Sequence, residues 1–159
     1  MEGKVSVEIV EKWLKGWCLS REVPFPVPYT SGFQVIVGDE KQKERYVFPE
    51  LNDDFFRLAH SINEPWIHLK VSISPEEFIS KIPERWRLQP QGYMMTCFQP
   101  MNFPEISLAK GYHLEFSEYN TTFVVRIAAE NDEQASIGRV SLTDDMAVYD
   151  RIITEKNHQ

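Results

Sequence analysis

Cysteine is scarce in this 159-residue chain: Cys18 and Cys97 are the only two. Two are too few for a disulfide framework or a cysteine-rich zinc site. Glycine is scarce as well, and none of the seven falls into G-x-G-x-x-G, G-x-x-x-x-G-K-[ST] or G-x-S-x-G. The dinucleotide fingerprint, the phosphate loop and the nucleophile elbow are thereby missing. No apolar run reaches 18 residues, and the start, MEGK, leads straight into a mixed polar stretch without a signal-peptide core. Basic residues are outnumbered, 17 Lys+Arg against 24 Asp+Glu, for a net charge of -7. That balance argues against a general nucleic-acid binder, which carries a basic stripe, and against an anionic-membrane binder. The four histidines, His60, His68, His113 and His158, have no ligand spacing among themselves or with the cysteines, so no metal site is expected. The expectation is a soluble, cytoplasmic protein with no nucleic-acid or membrane partner.

What is present is apolar mass. Hydrophobic residues make up 42% and aromatics 13%, which excludes disorder and promises a filled core or an apolar site. The length suits one ordinary domain, or two small ones sharing a core.

Ser6 can cap a helix whose stripe is Val5, Ile9, Val10, Trp13, Leu14 and Trp17, with Gly16 near its end. Three prolines between 23 and 28 forbid helix there and predict a stiff extended connector. Residues 33–37 and 45–48 read as strands of a hairpin, with 38–44 as a longish polar loop. Asn52, followed by Asp53 and Asp54, opens a second helix carrying Phe55, Phe56, Leu58, Ala59 and Ile62, and Pro65 closes it. Residues 66–73 alternate cleanly, with Ile67, Leu69, Val71 and Ile73 on one side, and predict a half-buried strand. Ser74, Pro75 and Glu77 form a capping-box pattern for a short helix that Pro83 ends. Residues 92–98 read as a further strand.

Composition shifts at 100–104: helices and strands alternate before it, and only strands follow. Residues 121–129, 135–142 and 146–154 read as a three-stranded antiparallel meander, with Gly138 marking a bulge or a close approach of backbone. The division is 1–103 and 104–159. The apolar face of such a meander needs a cover: the N-terminal helices, another chain, or further residues of a longer natural protein. The fold class is α+β, a mixed, mostly antiparallel sheet with helices.

Candidate chemistry is sparse. Cys18 and Cys97 read as packed thiols. Tyr93, Met94, Met95 and Phe98 read as core or as a pocket lining, and Asp144 with Asp145 as a solvated turn. Asp150 and Glu155 stand near the two ends of the last strand, where a carboxylate can act as general base on an amine, although surface charge is the plainer reading.

The stretch 111–159 resembles the first half of a GNAT-superfamily acyltransferase core. The resemblance rests on TTFVVRIAA (121–129), a short turn, SIGRVSL (136–142) and DRIITEKNHQ (150–159). In that family the last of three antiparallel strands runs into a loop Q/R-x-x-G-x-G/A, whose amides hold the coenzyme A pyrophosphate at a helix N-terminus. Gln159 falls at the first position of that loop. The resemblance implies that Ile152, Ile153 and Thr154 pair with pantetheine, that acetyl-CoA is the co-substrate, and that Asp150 or Glu155 serves as the base. It implies a GNAT-like N-acyltransferase acting on a small-molecule or peptide amine. Residues 1–103 look similar to another such module, so this chain would be the N-terminal portion of a two-module protein, weak in coenzyme binding and inactive alone. The competing class is a non-enzymatic ligand- or protein-binding or assembly module. In either case the C-terminal strand is expected to mediate a homodimer.

Overall fold

The computed structural model describes residues 5–105 and 107–159. They form an α+β fold with two mostly antiparallel four-stranded sheets and few helices. The layers run helix, sheet, helix, sheet.

Helix α1 (Val7–Arg21) starts where Ser6 Oγ accepts the amide of Ile9 at 3.2 Å. It ends at Glu22, whose left-handed backbone lets its amide reach the carbonyls of Cys18 and Leu19. Gly16 therefore lies inside the helix and does not terminate it. Strands β1 (Val27–Tyr29), β2 (Gly32–Asp39), β3 (Gln42–Phe48) and β4 (Ile67–Val71) form the first sheet in that order. The proline-rich connector becomes the edge strand β1, a position that tolerates a missing N–H at Pro28. The expected long loop is a correction: Asp39 pairs with Gln42, so the hairpin closes in two residues. The apparent surplus of chain is absorbed by a bulge on β2, where Gly38 has φ 73°.

Helix α2 (Asp53–Ser61) is capped as expected, with Asn52 Oδ1 accepting the amides of Asp54 and Phe55 at 3.1 and 3.2 Å. It carries the chain across so that β4 runs parallel to β3. Its Phe55 and Leu58 pack with Tyr46 and Phe48 on one face of the sheet, and Ile67, Leu69 and Val71 join them. On the opposite face Val10, Leu14, Trp17 and Cys18 of α1 bury Phe33, Val35 and Val47. Each large apolar side chain fully buried there contributes roughly 1.5–3 kcal/mol.

The segment after β4 departs from expectation. Ser74 makes no capping bond, and only two short 3₁₀ turns, Pro75–Glu77 and Ile79–Lys81, form. With Pro83 so near, fewer than three helical turns remain, too few to recover the cost of nucleation. Residues 92–98 form no strand, because no other segment pairs with them among the described residues. Tyr93 is 96% exposed and Met95 89% exposed, so the aromatic cluster is neither core nor a pocket lining; Met94 alone touches the α1 core. Cys97 is an exposed free thiol rather than a packed one.

The second sheet has four strands, not three: β5 (Tyr112–Tyr119), β6 (Thr122–Ala129), β7 (Gln134–Thr143) and β8 (Met146–Thr154), in sequential antiparallel order. Of the three covers that the sequence allows for this meander, α1 is the one observed on its inner face, against β7 and β8.

Candidate functional site: the junction of α1 with β8

The last turn of α1 meets β8 at a bulge. Arg139 of β7 pairs with Asp150 and Ile137 with Ile153, so β8 carries one extra residue opposite Gly138. Arg151 absorbs it with φ 48°. A regular strand would send neighbouring side chains to opposite faces. The bulge instead lets Asp150 and Arg151, consecutive in sequence, both reach Ser20 of α1.

Ser20 is buried, and its Oγ stands 2.6 Å from Asp150 Oδ2 and 3.1 Å from the carbonyl of Trp17. Its one proton goes to the carboxylate, the shorter and charge-assisted bond. The Ser20 carbonyl accepts from Tyr119 Oη at 2.5 Å and from Arg151 Nη2. Arg21 Nε and Arg151 Nε each lie 3.4 Å from Asp150 Oδ2. Asp150, 15% exposed, is thus held by a hydroxyl and two guanidiniums.

Arginine accumulates here. The guanidiniums of Arg21 and Arg45 lie 4.6 and 4.3 Å from the centre of the Trp17 ring. Burial, then repulsion from Arg21, lowers Arg45 to about 10, with Asp150 opposing the shift. Lys70, over Trp13 at 4.7 Å, is lowered by burial and by Arg45. Cys18 is pushed up to about 12 by burial, against the pull of Arg45, so its thiol is neutral and not a nucleophile at neutral pH.

The remaining residues singled out from sequence lie further along β8 and beyond it, from about 7 Å (Ile152) to roughly 16 Å (Glu155) along the strand from Asp150 at the usual rise. Glu155, whose amide bonds the Ala135 carbonyl at 2.9 Å, lines an open cleft of about 480 Å³ with Glu133, Gln134, Lys156 and Asn157. His158 stands beside it, 2.9 Å from Tyr112 Oη and 3.5 Å from Glu133 Oε1. Ile152, Ile153 and Thr154 are exposed, and Gln159 Nε2 bonds the carbonyl of Thr154 at 3.0 Å. The structure therefore brings Thr154, Glu155 and Gln159 together at the end of β8 and holds Asp150 away from Glu155, with Ile152 and Ile153 between them. Asp144 is an exposed turn residue, whereas Asp145 pairs with Lys12 of α1 at 2.8 Å.

Ser20, Arg21, Arg45, Tyr119, Arg139 and Arg151 escape sequence reasoning, since nothing in their spacing announces that α1, β3, β5, β7 and β8 meet. No group of three or more His, Cys, Asp and Glu placed to hold a metal ion occurs among the described residues. No helix among them is long and apolar enough to cross a membrane. Compared with known protein families, with curated proteins and with solved structures, the chain matches none.

Proposed function

We propose that this chain carries the opening strands of a GNAT-like N-acyltransferase that moves an acetyl group from acetyl-CoA to an amine. The observation that supports the reading is the free edge of β8, beyond which no strand pairs among the described residues. Exposed Ile152, Ile153 and Thr154 offer unpaired backbone groups to the two amides of a pantetheine arm, by the same rule as strand addition. Glu155 at the end of that edge is the accessible carboxylate, placed to take the proton of an attacking amine. The new C–N bond forms as the thioester C–S bond breaks, and the sulfur leaves as thiolate. Asp150, engaged by Ser20, Arg21 and Arg151, fixes the strand rather than moving a proton. Because residues 1–159 hold no Q/R-x-x-G-x-G/A segment, binding is weak.

The test is an amide-resonance titration of the chain with acetyl-CoA. Shifts centred on Ile152, Ile153, Thr154 and Gln159 support the proposal. Shifts centred elsewhere, or none at millimolar acetyl-CoA, overturn it.

A second reading, an assembly module forming a homodimer through β8, is favoured by the outer face of the second sheet. Leu114, Phe116, Phe123, Leu142, Tyr149 and Ile152 are exposed there. Register places them on one face: Phe123, Val140 and Tyr149 share a row, and the rows of Phe116 (Val125, Gly138) and Leu114 (Ile127, Ser136) follow at steps of two residues. Together they present on the order of 600 Å², not far below the roughly 800 Å² per partner of a standard interface. Light scattering across a concentration series decides it. A dimer that Ile152→Lys shifts toward monomer favours assembly; a monomer at every concentration removes this reading.

A further inference from the structure

The junction holds a surplus of positive charge. Arg21, Arg45, Arg139 and Arg151 come from α1, β3, β7 and β8, and Asp150 is the single carboxylate that ion-pairs with any of them among the described residues. In a chain of net charge -7 this concentration is not a composition effect. Arg139 is the clearest case. It pairs across the ladder with Asp150 and shares its face of the sheet, yet its guanidinium makes no hydrogen bond or ion pair among the described residues, and its Nε is buried. The buried Nε atoms of Arg21 and Arg151 ion-pair with Asp150 Oδ2 at 3.4 Å without a hydrogen bond. A buried donor without an acceptor is costly.

The geometry points to a phosphate-binding site at this junction, formed by Arg21, Arg139 and Arg151 with Arg45 behind them. Four guanidiniums against one carboxylate leave a surplus of about three charges, which a phosphate dianion reduces to about one. The Trp17 ring holds Arg21 and Arg45 in place beforehand. Arg21 and Arg151 are about a third exposed, so the anion enters from solvent. This site is distinct from the β8 edge and does not depend on the acyltransferase reading.

The probe is inorganic phosphate, titrated against chloride at constant ionic strength. Saturable shifts of the arginine Nε–Hε resonances are expected, with a melting temperature that rises with the logarithm of phosphate concentration. Arg139→Gln should weaken the apparent affinity at least tenfold while leaving the far-ultraviolet circular dichroism unchanged. If that variant does not fold, Arg21→Gln serves in its place. Glycerol 3-phosphate, run in parallel, separates the sources: binding equal to phosphate means that a phosphomonoester is accepted, and weaker binding means that the site takes the free ion. Absence of saturation overturns the proposal. So does an Arg139→Gln protein that responds to phosphate like the parent.

Discussion

Gly16 of α1 and Val148 of β8 touch across an atom that is not there. A Cβ built on Gly16 would stand 2.5 Å from both Cβ and Cγ2 of Val148. Helix and sheet thus approach more closely than any side chain permits, and Val148 is buried by the contact. This contact, with the Ser20–Asp150 bond one helical turn further on, docks the second sheet on α1.

Gly16→Ala should therefore destabilise the protein although alanine is the better helix former. The intrinsic gain is about 1 kcal/mol, and the overlap with a buried β-branched side chain costs about 1–3 kcal/mol, for a net loss of up to about 2 kcal/mol. Urea denaturation should show a lower midpoint, and Gly16→Ala/Val148→Ala should recover part of the loss. A stabilised single variant would contradict the close approach.

Asp150→Ala leaves Arg21 and Arg151 without their shared carboxylate. A loss of about 2–4 kcal/mol is expected, the lower part of the range for a broken buried pair because both arginines are partly solvated. Ser20→Ala should be non-additive with it, since the two residues share one bond. Additive losses in a double-mutant cycle by denaturation would separate them.

The two thiols should differ sharply in reactivity. Cys97 is exposed and should label rapidly with a thiol reagent at pH 8, whereas buried Cys18 should label only on unfolding. Burial raises the Cys18 value to about 12, above the 9.0 of an unperturbed thiol. The sign follows from proton counts: above pH 9 the unfolded chain loses this proton while the fold retains it. The Cys18 contribution is thus fully present below pH 9 and is lost as pH rises toward 12. Alkaline denaturation of Cys18→Ala should show less loss over that window than the parent. Equal labelling of both cysteines in the native state would sink the assignment.

Hydrogen exchange should rank the segments. Amides of β2, β3 and the middle of α1, enclosed between layers, should exchange slowest. Those of residues 92–99, which form no backbone ladder among the described residues and carry several exposed side chains, should exchange within the dead time. Protection of residues 92–99 comparable to β3 would mean that they pair with a strand after all.

Local chemistry made much of this fold legible. Ser6 and Asn52 announce their helices because a cap acts within three residues, and the alternation in 67–71 announces β4 because its two faces meet different neighbours. Strand β5 is harder to read. Its hairpin turns through Asn120 and Thr121, both at positive φ, where an Asn-Gly pair would have been the usual signal. The Ser74 pattern makes no cap bond, and a cap worth about 1 kcal/mol is too little to hold a helix that proline cuts short. Residues 92–98 have strand propensity without a partner, and propensity alone does not make a sheet.

By itself, then, the sequence determined the helices α1 and α2 with their caps, most of the strands, and the absence of the common nucleotide and nucleophile motifs. Only the tertiary structure decided that α1 lies between two sheets, that Asp150 is engaged while Glu155 is open, and that Arg21 and Arg151 share one carboxylate. Caps and alternation act between near neighbours in the chain. Coulombic and steric terms act through space, and Ser20 and Asp150 are 130 residues apart until the fold brings them to 2.6 Å.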